Sequence, residues 1–349
     1  MKKVLNFFKS NMMLVVLIVL LIVFQFLCVG ITGRSFLTAS NLLNILSQNA
    51  YLIIVGVGIT FIMLGGGMDL STGYLLSTVG VAMALMDQSA NFAVAAICGI
   101  LLAVLISAFN GVVYARLKVF PFIITLATQY ILNGATYLLS GGMVATYRDL
   151  SEGFTILGGT NVLKIFNPNI TGANLKSCVI VMVLAVLLGS FILNKTYLGR
   201  NIYALGSNPD AVALSGVSVA KMRVIVFALA GFFFGLAQLV NIGRMGSMTN
   251  SMGIGAEFTV MAGAMLGGVK MGGGGGKMSN MVIGVLIIAV LDSGMNFLNI
   301  NQYWQYVALG IVLLFAITLD TLQTESSVKA AKKVTGKAPT ASASTASKQ

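Results

Sequence analysis

Long runs without charge divide this chain, and several are long enough to cross a lipid bilayer. Lys9 and Arg34 are separated by 24 uncharged residues, and Arg34 and Asp69 are separated by 34. A helix needs about 20 mostly apolar residues to span the hydrocarbon core. We therefore predict ten membrane spans, of which the third and eighth are short and rich in Gly, Ser and Thr. They cover residues 11–30, 42–64, 71–88, 92–115, 120–141, 177–195, 222–243, 257–271, 278–299 and 303–321.

This pattern predicts an all-α fold, a polytopic membrane helix bundle in which some spans are broken or short. Backbone groups in lipid must be hydrogen bonded within the protein, so any break in a span should face protein or a water-filled path. The first span follows Lys2, Lys3 and Lys9, as a signal peptide would. Its apolar core is longer than a signal peptide needs and no small-x-small cleavage site follows, so we interpret it as a retained helix.

The composition excludes several classes of protein. Among 349 residues, 57% are apolar and only 9% are charged, whereas soluble domains carry about 25% charged residues. The mean hydropathy is +0.95, which is typical of a chain surrounded mostly by lipid. There is no histidine, and the three cysteines are scattered, so zinc sites and histidine-based catalysis are excluded.

The distribution of Lys and Arg predicts the orientation in the membrane. With the N-terminus inside, 16 of the 21 basic residues fall on the cytoplasmic side, in agreement with the positive-inside rule. Both termini are then cytoplasmic, and residues 322–349 form a disordered basic tail after a permease domain of residues 1–321. Basic flanks beside anionic lipid account for the net charge of +12, so no nucleic-acid partner is needed. The five basic residues predicted outside are Arg34, Arg148, Lys164, Lys176 and Arg244.

A short cytoplasmic segment contains the signals of a capped helix. Ser207 or Asn208 can cap its start, Pro209 fits the first helical position, and Asp210 suits the positive end of the helix dipole. Gly216 suits the left-handed residue that ends a helix. This helix has an apolar face but is too short to cross the bilayer, so it packs either on its own bundle or on a partner protein. Its candidate coupling residues are Ser207, Asn208, Pro209, Asp210, Ala211, Leu214 and Gly216.

This stretch resembles the coupling loop of ABC importer permeases, with the ribose/galactoside/xylose branch as the most similar. Further segments resemble the same branch in the family's order: GGMDLSTG at 66–73, PFIITLAT at 121–128, LGG at 266–268 and NQYWQY at 301–306. Where the family usually has Glu-Leu-Asp, this chain has Glu257-Phe258-Thr259, which lacks one carboxylate. The resemblance extends over residues 40–321.

The resemblance implies a homodimeric permease in the bacterial plasma (inner) membrane. It implies two cytoplasmic ATPase domains and an extracytoplasmic sugar-binding protein as partners, with ATP used by the ATPase and no cofactor in this chain. A monosaccharide is the expected cargo, and a nucleoside, a branched-chain amino acid or a signalling furanose is the alternative within the same architecture.

Polar residues inside the predicted spans are candidates for lining a solute path. Uncharged amide and hydroxyl groups form weak hydrogen bonds with a hydroxylated solute, and these hydrogen bonds can be exchanged for hydrogen bonds with water. They equally form hydrogen bonds between helices, which average about 0.6 kcal/mol per pair. Asp69 either caps the next helix after the break at Gly65–Gly67 or acts as a gating carboxylate. The candidate path residues are Gln48, Asn49, Asp69, Thr125, Thr128, Gln129 and Asn133.

The glycine run Gly272–Gly276 before Lys277 superficially resembles a nucleotide-binding loop. Met271 and Met278 stand where that motif needs Gly and Ser or Thr, and membrane spans flank the run, so we interpret it as a flexible or tightly packed turn. Residues 63–73 and 265–275 are identical at five of eleven aligned positions. Such a faint repeat is typical of transporters with interrupted helices in corresponding halves.

Two other classes of function remain as alternatives. An ion-driven secondary transporter needs carboxylates within the membrane, and only Asp69, Glu257 and Asp292 are suitably placed. An intramembrane enzyme needs catalytic groups that the composition does not supply.

Overall fold

The computed structural model describes residues 12–117, 119–166 and 174–335, and these residues are almost entirely helical. They form fourteen helices and one two-stranded antiparallel ladder, in which Thr146 pairs with Thr249. The first helices are α1 (Met12–Thr32), α2 (Ala39–Leu64), α3 (Thr72–Ser89), α4 (Phe92–Leu117) and α5 (Pro121–Leu139). Then follow β1 (Thr146–Tyr147), α6 (Glu152–Gly158), α7 (Val162–Phe166), α8 (Ser177–Lys195), α9 (Tyr197–Ser207) and α10 (Pro209–Leu214). The last elements are α11 (Val219–Met245), β2 (Met248–Thr249), α12 (Ala256–Leu266), α13 (Met278–Phe297) and α14 (Gln302–Thr335).

The prediction of a polytopic helical membrane bundle is confirmed. Seven helices of the described residues, α1, α2, α4, α5, α8, α11 and α13, are long and apolar enough to cross a membrane, by length and composition. The other three predicted spans correspond to the 18-residue α3, the 11-residue α12 and the apolar part of α14 at Gln302–Thr318.

The eighth predicted span is a half-helix. At about 1.5 Å per residue, the 11 residues of α12 extend about 16 Å, roughly half of the hydrocarbon thickness. Its predicted range of 257–271 is too long because Gly267 and Gly268 end the helix, the latter with a left-handed φ of 83°. At the other end of the chain, α14 continues past the predicted boundary at 321 to Thr335, so the predicted tail begins as a helix. Residues 336–349 of that tail lie outside the described residues.

The core is built around α2 and α11, which are the most buried of the long spans. The 26 residues of α2 carry no charge, and the Thr38 hydroxyl caps the helix by accepting a hydrogen bond from the Asn41 backbone N–H at 3.2 Å. Glycines allow α11 to approach α4 closely, because a Cβ at Gly111, Gly231 or Gly235 would lie 2.6–2.9 Å from backbone atoms of the facing helix.

Candidate functional site

A cavity of about 620 Å³ opens between α2, α12, α13, α14 and the end of α11. In the predicted orientation it lies in the outer half of the membrane, since Arg244 is at the outer end of α11. The start of the half-helix α12 forms part of its wall. Its lining residues are Gln48, Asn49, Tyr51, Leu52, Arg244, Met245, Ile254, Gly255, Ala256, Phe258, Thr259, Ala289, Asp292, Ser293, Asn296, Gln305, Tyr306 and Leu309.

Two charged groups face this cavity and keep hydrogen-bonding capacity. The Arg244 guanidinium donates to the Asn241 side-chain oxygen at 3.4 Å and to the Met245 sulfur at 2.8 Å, whereas its buried Nε has no partner among the described residues. The half-buried Asp292 carboxylate forms no hydrogen bond or ion pair with any described residue. A buried or half-buried polar group without a partner favours a ligand that supplies one.

Uncharged polar groups line the rest of the cavity. The Gln305 amide donates to the Asn296 side-chain oxygen at 2.8 Å, which joins α14 to α13. Gln48 is exposed to the cavity, and Asn49 donates to the Ile45 carbonyl of its own helix at 2.9 Å. Two of the seven predicted path residues, Gln48 and Asn49, therefore lie here.

Three other predicted path residues meet in a buried network at the break between α2 and α3. Asp69 is 1% exposed, and its Oδ1 accepts hydrogen bonds from the Ser71 backbone N–H at 2.8 Å and the Ser71 hydroxyl at 2.6 Å. Asn110 of α4 donates to the Ser71 hydroxyl at 3.1 Å and accepts from Thr128 of α5 at 2.6 Å. Thr125 accepts from the backbone N–H that follows Asp69 at 3.2 Å.

This network ties the helix break to α4 and α5, and the Asp69 carboxylate closes a turn onto Ser71, the residue that precedes α3. The two roles predicted for Asp69, a helix cap or a gating carboxylate, stay predictions. The second carboxylate oxygen of Asp69 is buried and has no partner in the described part of the chain. The same holds for Oε2 of Glu257, whose carboxylate lies against Gly73 in the first turn of α3. The remaining two predicted path residues, Gln129 and Asn133, are half-buried on α5 and belong neither to the cavity nor to the network.

The predicted path residues do not include Arg244, Ser293, Gln305 or Tyr306, which line the cavity. Arg244 was assigned to an external loop, although it lies within the last turn of α11. The sequence did contain a pattern that could have indicated the cavity lining on α13, since Asp292 and Asn296 share a face at the i, i+4 spacing.

The predicted coupling helix forms as α10, and Asn208 rather than Ser207 caps it. The Asn208 side-chain oxygen accepts a hydrogen bond from the Ala211 backbone N–H at 3.0 Å, with Pro209 in the first helical position. Ser207 instead ends α9 and donates to the Tyr203 carbonyl. Gly216 has a φ of 83°, as predicted for the left-handed residue that ends the helix.

The two faces of α10 differ in their surroundings. Val212 is 5% exposed and packs towards the bundle, whereas Leu214 is 90% exposed. The Val217 N–H donates to the Val212 carbonyl at 3.3 Å, which completes the helix ending. Single exposed leucines are common on protein surfaces. Leu214, however, lies on a short capped helix outside the spans, where it is in a fixed position to contact another protein.

Two glycine-rich segments and one glycine of α9 pack against one another, and we call them the glycine junction: Gly65–Gly67, Gly272–Gly276 and Gly206. The Gly274 N–H donates to the Leu64 carbonyl at 2.9 Å. A Cβ at Gly206 of α9 would overlap the Leu64 carbonyl oxygen and the Gly274 nitrogen. The interpretation of the glycine run as a tightly packed turn is thereby confirmed.

The side chain of Tyr203 fastens α9 to the same junction. Its hydroxyl donates to the Gly276 carbonyl at 3.0 Å. Burial raises the pKa of the Tyr203 phenol above its ordinary value, so the hydroxyl stays protonated and remains a donor.

The faint sequence repeat has a structural counterpart in two equivalent helix endings. In α2 the Gly66 N–H donates to the Met63 carbonyl at 2.9 Å, and in α12 the Gly268 N–H donates to the Met265 carbonyl at 2.8 Å. Both glycines have left-handed φ values, 77° and 83°. The repeated sequence therefore forms the same helix ending twice, and each time the chain continues from that ending into the glycine junction.

Long apolar helices, an open polar cavity and a rigid capped helix outside the spans define a multi-pass membrane transport protein. The chain belongs to the family described as "Branched-chain amino acid transport system / permease component", whose model matches residues 41–317. It is 33% identical over 345 residues to the galactose/methyl galactoside import permease protein MglC of Escherichia coli K12, covering 92% of this chain and 97% of that protein. It is 35% identical over 293 residues to the ribose import permease protein RbsC of Bacillus subtilis 168, covering 84% and 88%.

These comparisons confirm the resemblance to ABC importer permeases of the ribose/galactoside branch. The chain is a transport subunit and not an enzyme, and it is a multi-pass protein of the bacterial inner membrane. No solved structure matches the chain.

Proposed function

We propose that this chain is the membrane conduit of an ATP-driven importer and carries a monosaccharide through the cavity between α2, α12, α13 and α14. The relatives that match most of its length are named as galactose and ribose import permeases. The cavity volume of about 620 Å³ falls within the roughly 300–1,000 Å³ of small-molecule sites. The observation that carries the proposal is that amide, hydroxyl and charged groups from separate helices converge there.

The chemistry of the cavity suits a neutral hydroxylated solute. Asp292 and Arg244 retain the capacity to accept and donate hydrogen bonds, and Tyr306 and Phe258 offer ring surfaces for the apolar face of a sugar. The second candidate is a branched-chain amino acid, which the family's description names. The two charges of the cavity would complement a zwitterion.

The proposed partners are a second permease copy, cytoplasmic ATPase subunits and an extracytoplasmic sugar-binding protein. The exposed face of α10 around Leu214 would seat in the ATPase, which requires this helix to be cytoplasmic. In the same orientation both termini are cytoplasmic, and the outer cavity faces the binding protein. ATP is then hydrolysed on the partner chain.

The glycine junction provides a route from the ATPase to the solute. Helix α2 lines the cavity with Gln48 and ends at Leu64 in the junction. Helix α12 lines the cavity with Thr259 and ends at Leu266, from which the chain continues into the Gly272–Gly276 segment of the junction. Because α9 packs on both segments through Gly206, movement of α10 would shift two walls of the cavity together.

Cysteine accessibility tests both the cavity and the orientation. Ser293→Cys places a thiol in the cavity and Ser279→Cys places one at the exposed cytoplasmic end of the same helix, both in a Cys98→Ser background because Cys28 and Cys178 are buried. In intact cells a membrane-impermeant thiol reagent should modify only the former, more slowly when galactose or ribose is supplied with the binding protein.

The opposite labelling pattern would refute the orientation. Protection of Ser293→Cys by leucine but by neither sugar would replace the monosaccharide with the amino-acid cargo.

A further inference from the structure

A second cavity, of about 380 Å³, lies on the outside of the bundle between α4 and α11 and is separate from the solute cavity and from α10. It is a groove at the end of α4 and the start of α11, which is the cytoplasmic membrane surface in the orientation proposed above. Its lining residues are Val112, Ala115, Arg116, Ala220, Lys221, Val224 and Ile225.

The groove exists because the two helices change from close contact to separation over one turn. At Gly111 they touch, since a Cβ there would lie 2.9 Å from the Val224 Cα. One turn further along α4 stands Ala115, and Ala220 stands one turn earlier on α11. These small side chains leave the space between the helices open.

Two cations line this groove, Arg116 and Lys221, and both are exposed. Neither side chain forms an ion pair or a hydrogen bond with a described residue. A neighbouring cation is held differently, because the Arg223 guanidinium lies 4.1 Å above the Tyr114 ring. That contact occupies Arg223 within the protein and leaves Arg116 and Lys221 as the groove's free charges.

The rest of the groove is apolar and faces outward. Val112, Val224 and Ile225 form its walls, and Ile225 is 42% exposed. The adjoining Leu117 is 63% exposed on the same end of α4. Apolar side chains exposed at the end of a membrane span lie against lipid, and long basic side chains there extend to the headgroup region.

We propose that this groove binds one anionic phospholipid of the inner leaflet, with its phosphate between Arg116 and Lys221 and an acyl chain along Val224 and Ile225. A free phosphate would use the cations but not the apolar walls, so the lipid accounts for both features. Basic pockets between membrane helices on the cytoplasmic side are suited to acidic headgroups.

Native mass spectrometry of the full-length permease tests this site, with phosphatidylglycerol and zwitterionic phosphatidylethanolamine as probes. The double variant Arg116→Gln/Lys221→Gln should bind phosphatidylglycerol about thirtyfold more weakly, since each cation near acidic lipid contributes about 1 kcal/mol and 1.4 kcal/mol is tenfold. The matched control is Lys195→Gln/Arg200→Gln, which removes two exposed basic residues near the same predicted surface and should leave the affinity unchanged.

Two further variants separate the site from a general loss of folding. Arg116→Lys/Lys221→Arg keeps both charges and should retain the lipid, whereas Ala220→Phe keeps the charges but fills the groove and should lose it. Equal loss in the Gln double variant and its control would overturn the proposal, as would displacement of the lipid by inorganic phosphate alone. Release of the lipid when the ATPase binds would assign the groove to that protein interface instead.

Discussion

The glycine junction makes Gly206 the most sensitive position in the proposed coupling route. The residue lies within α9 and faces backbone atoms on two sides, the Leu64 carbonyl oxygen and the Gly274 nitrogen. The Cα of Gly273 would also lie 2.9 Å from an added Cβ. None of these atoms belongs to a side chain that can rotate away, so Gly206→Ala must push α9 from the junction.

The expected magnitude follows from two opposing effects. Alanine stabilises a helix by about 0.8–1.0 kcal/mol relative to glycine, whereas overpacking costs about 1–3 kcal/mol. Because the added Cβ would overlap backbone atoms, the upper part of the overpacking range applies, about 2–3 kcal/mol, and the net cost is about 1–2 kcal/mol. It applies at the contact between α9, the end of α2 and the Gly272–Gly276 segment. A shift of that size changes the population of the packed junction by a factor of roughly 5–30.

The assay compares sugar uptake with ATP hydrolysis in proteoliposomes that contain the complete transporter. Gly206→Ala should still copurify with the ATPase, because α10 keeps its exposed face, but it should transport at least fivefold less sugar per ATP. The matched control is Gly30→Ala in α1, where no atom lies within 4 Å of an added Cβ and transport should be unchanged.

A Gly206→Ala transporter that moves as much sugar per ATP as the wild type would refute the coupling route. Loss of ATPase binding in the same variant would also contradict it, because the junction would then be part of the docking surface.

Three further predictions concern the coupling helix, the buried network and the cavity. Leu214→Asp places a charge on the 90% exposed position of α10 and should abolish copurification of the ATPase while leaving membrane insertion intact; an undiminished ATPase yield would count against this assignment. Thr128→Val removes the 2.6 Å hydrogen bond to Asn110 and leaves the buried Asn110 side-chain oxygen unpaired. This should lower the stability by about 1–3 kcal/mol and lower the Tm in detergent. An unchanged Tm would show that the network contributes nothing to stability. Asp292→Asn keeps the shape of the side chain and replaces a charged hydrogen bond to the sugar with a neutral one, a loss of about 1 kcal/mol in binding free energy. The KM for the sugar should rise about fivefold with little change in kcat. An unaltered KM would remove this residue from the site.

Helix α10 could be predicted closely because its signals are local. A cap at Asn208, a proline at the first position and a glycine at the end determine a short helix without reference to the rest of the fold. The choice between Ser207 and Asn208 was left open because both residue types cap helices, and their difference arises from where α9 ends.

The cavity could not be predicted because it depends on which helices meet. Gln48, Arg244 and Tyr306 come from three distant segments, and a polar face on a helix indicates neither its neighbour nor whether the face lines a path or a packed network. Thr125 and Thr128 satisfy the same pattern as Gln48 and Asn49, yet they are buried in hydrogen bonds.

The contact of Gly206 with the other two parts of the glycine junction could not be predicted for a related reason. Gly206 follows an ordinary helical sequence, and only the approach of Leu64 and Gly274 shows why a side chain is excluded there. By contrast, the repeat at 63–73 and 265–275 did indicate a shared device, because a left-handed residue after a helix is a local requirement that glycine meets best.

Uptake by reconstituted vesicles, with and without the partner ATPase, tests the central claim that this chain is a conduit driven from outside itself. Vesicles containing the permease, the ATPase and ATP should accumulate the sugar delivered by the binding protein, and vesicles containing the permease alone should accumulate none under any ion gradient. Accumulation by the isolated chain with an ion gradient and no ATP would contradict the claim and identify a secondary transporter.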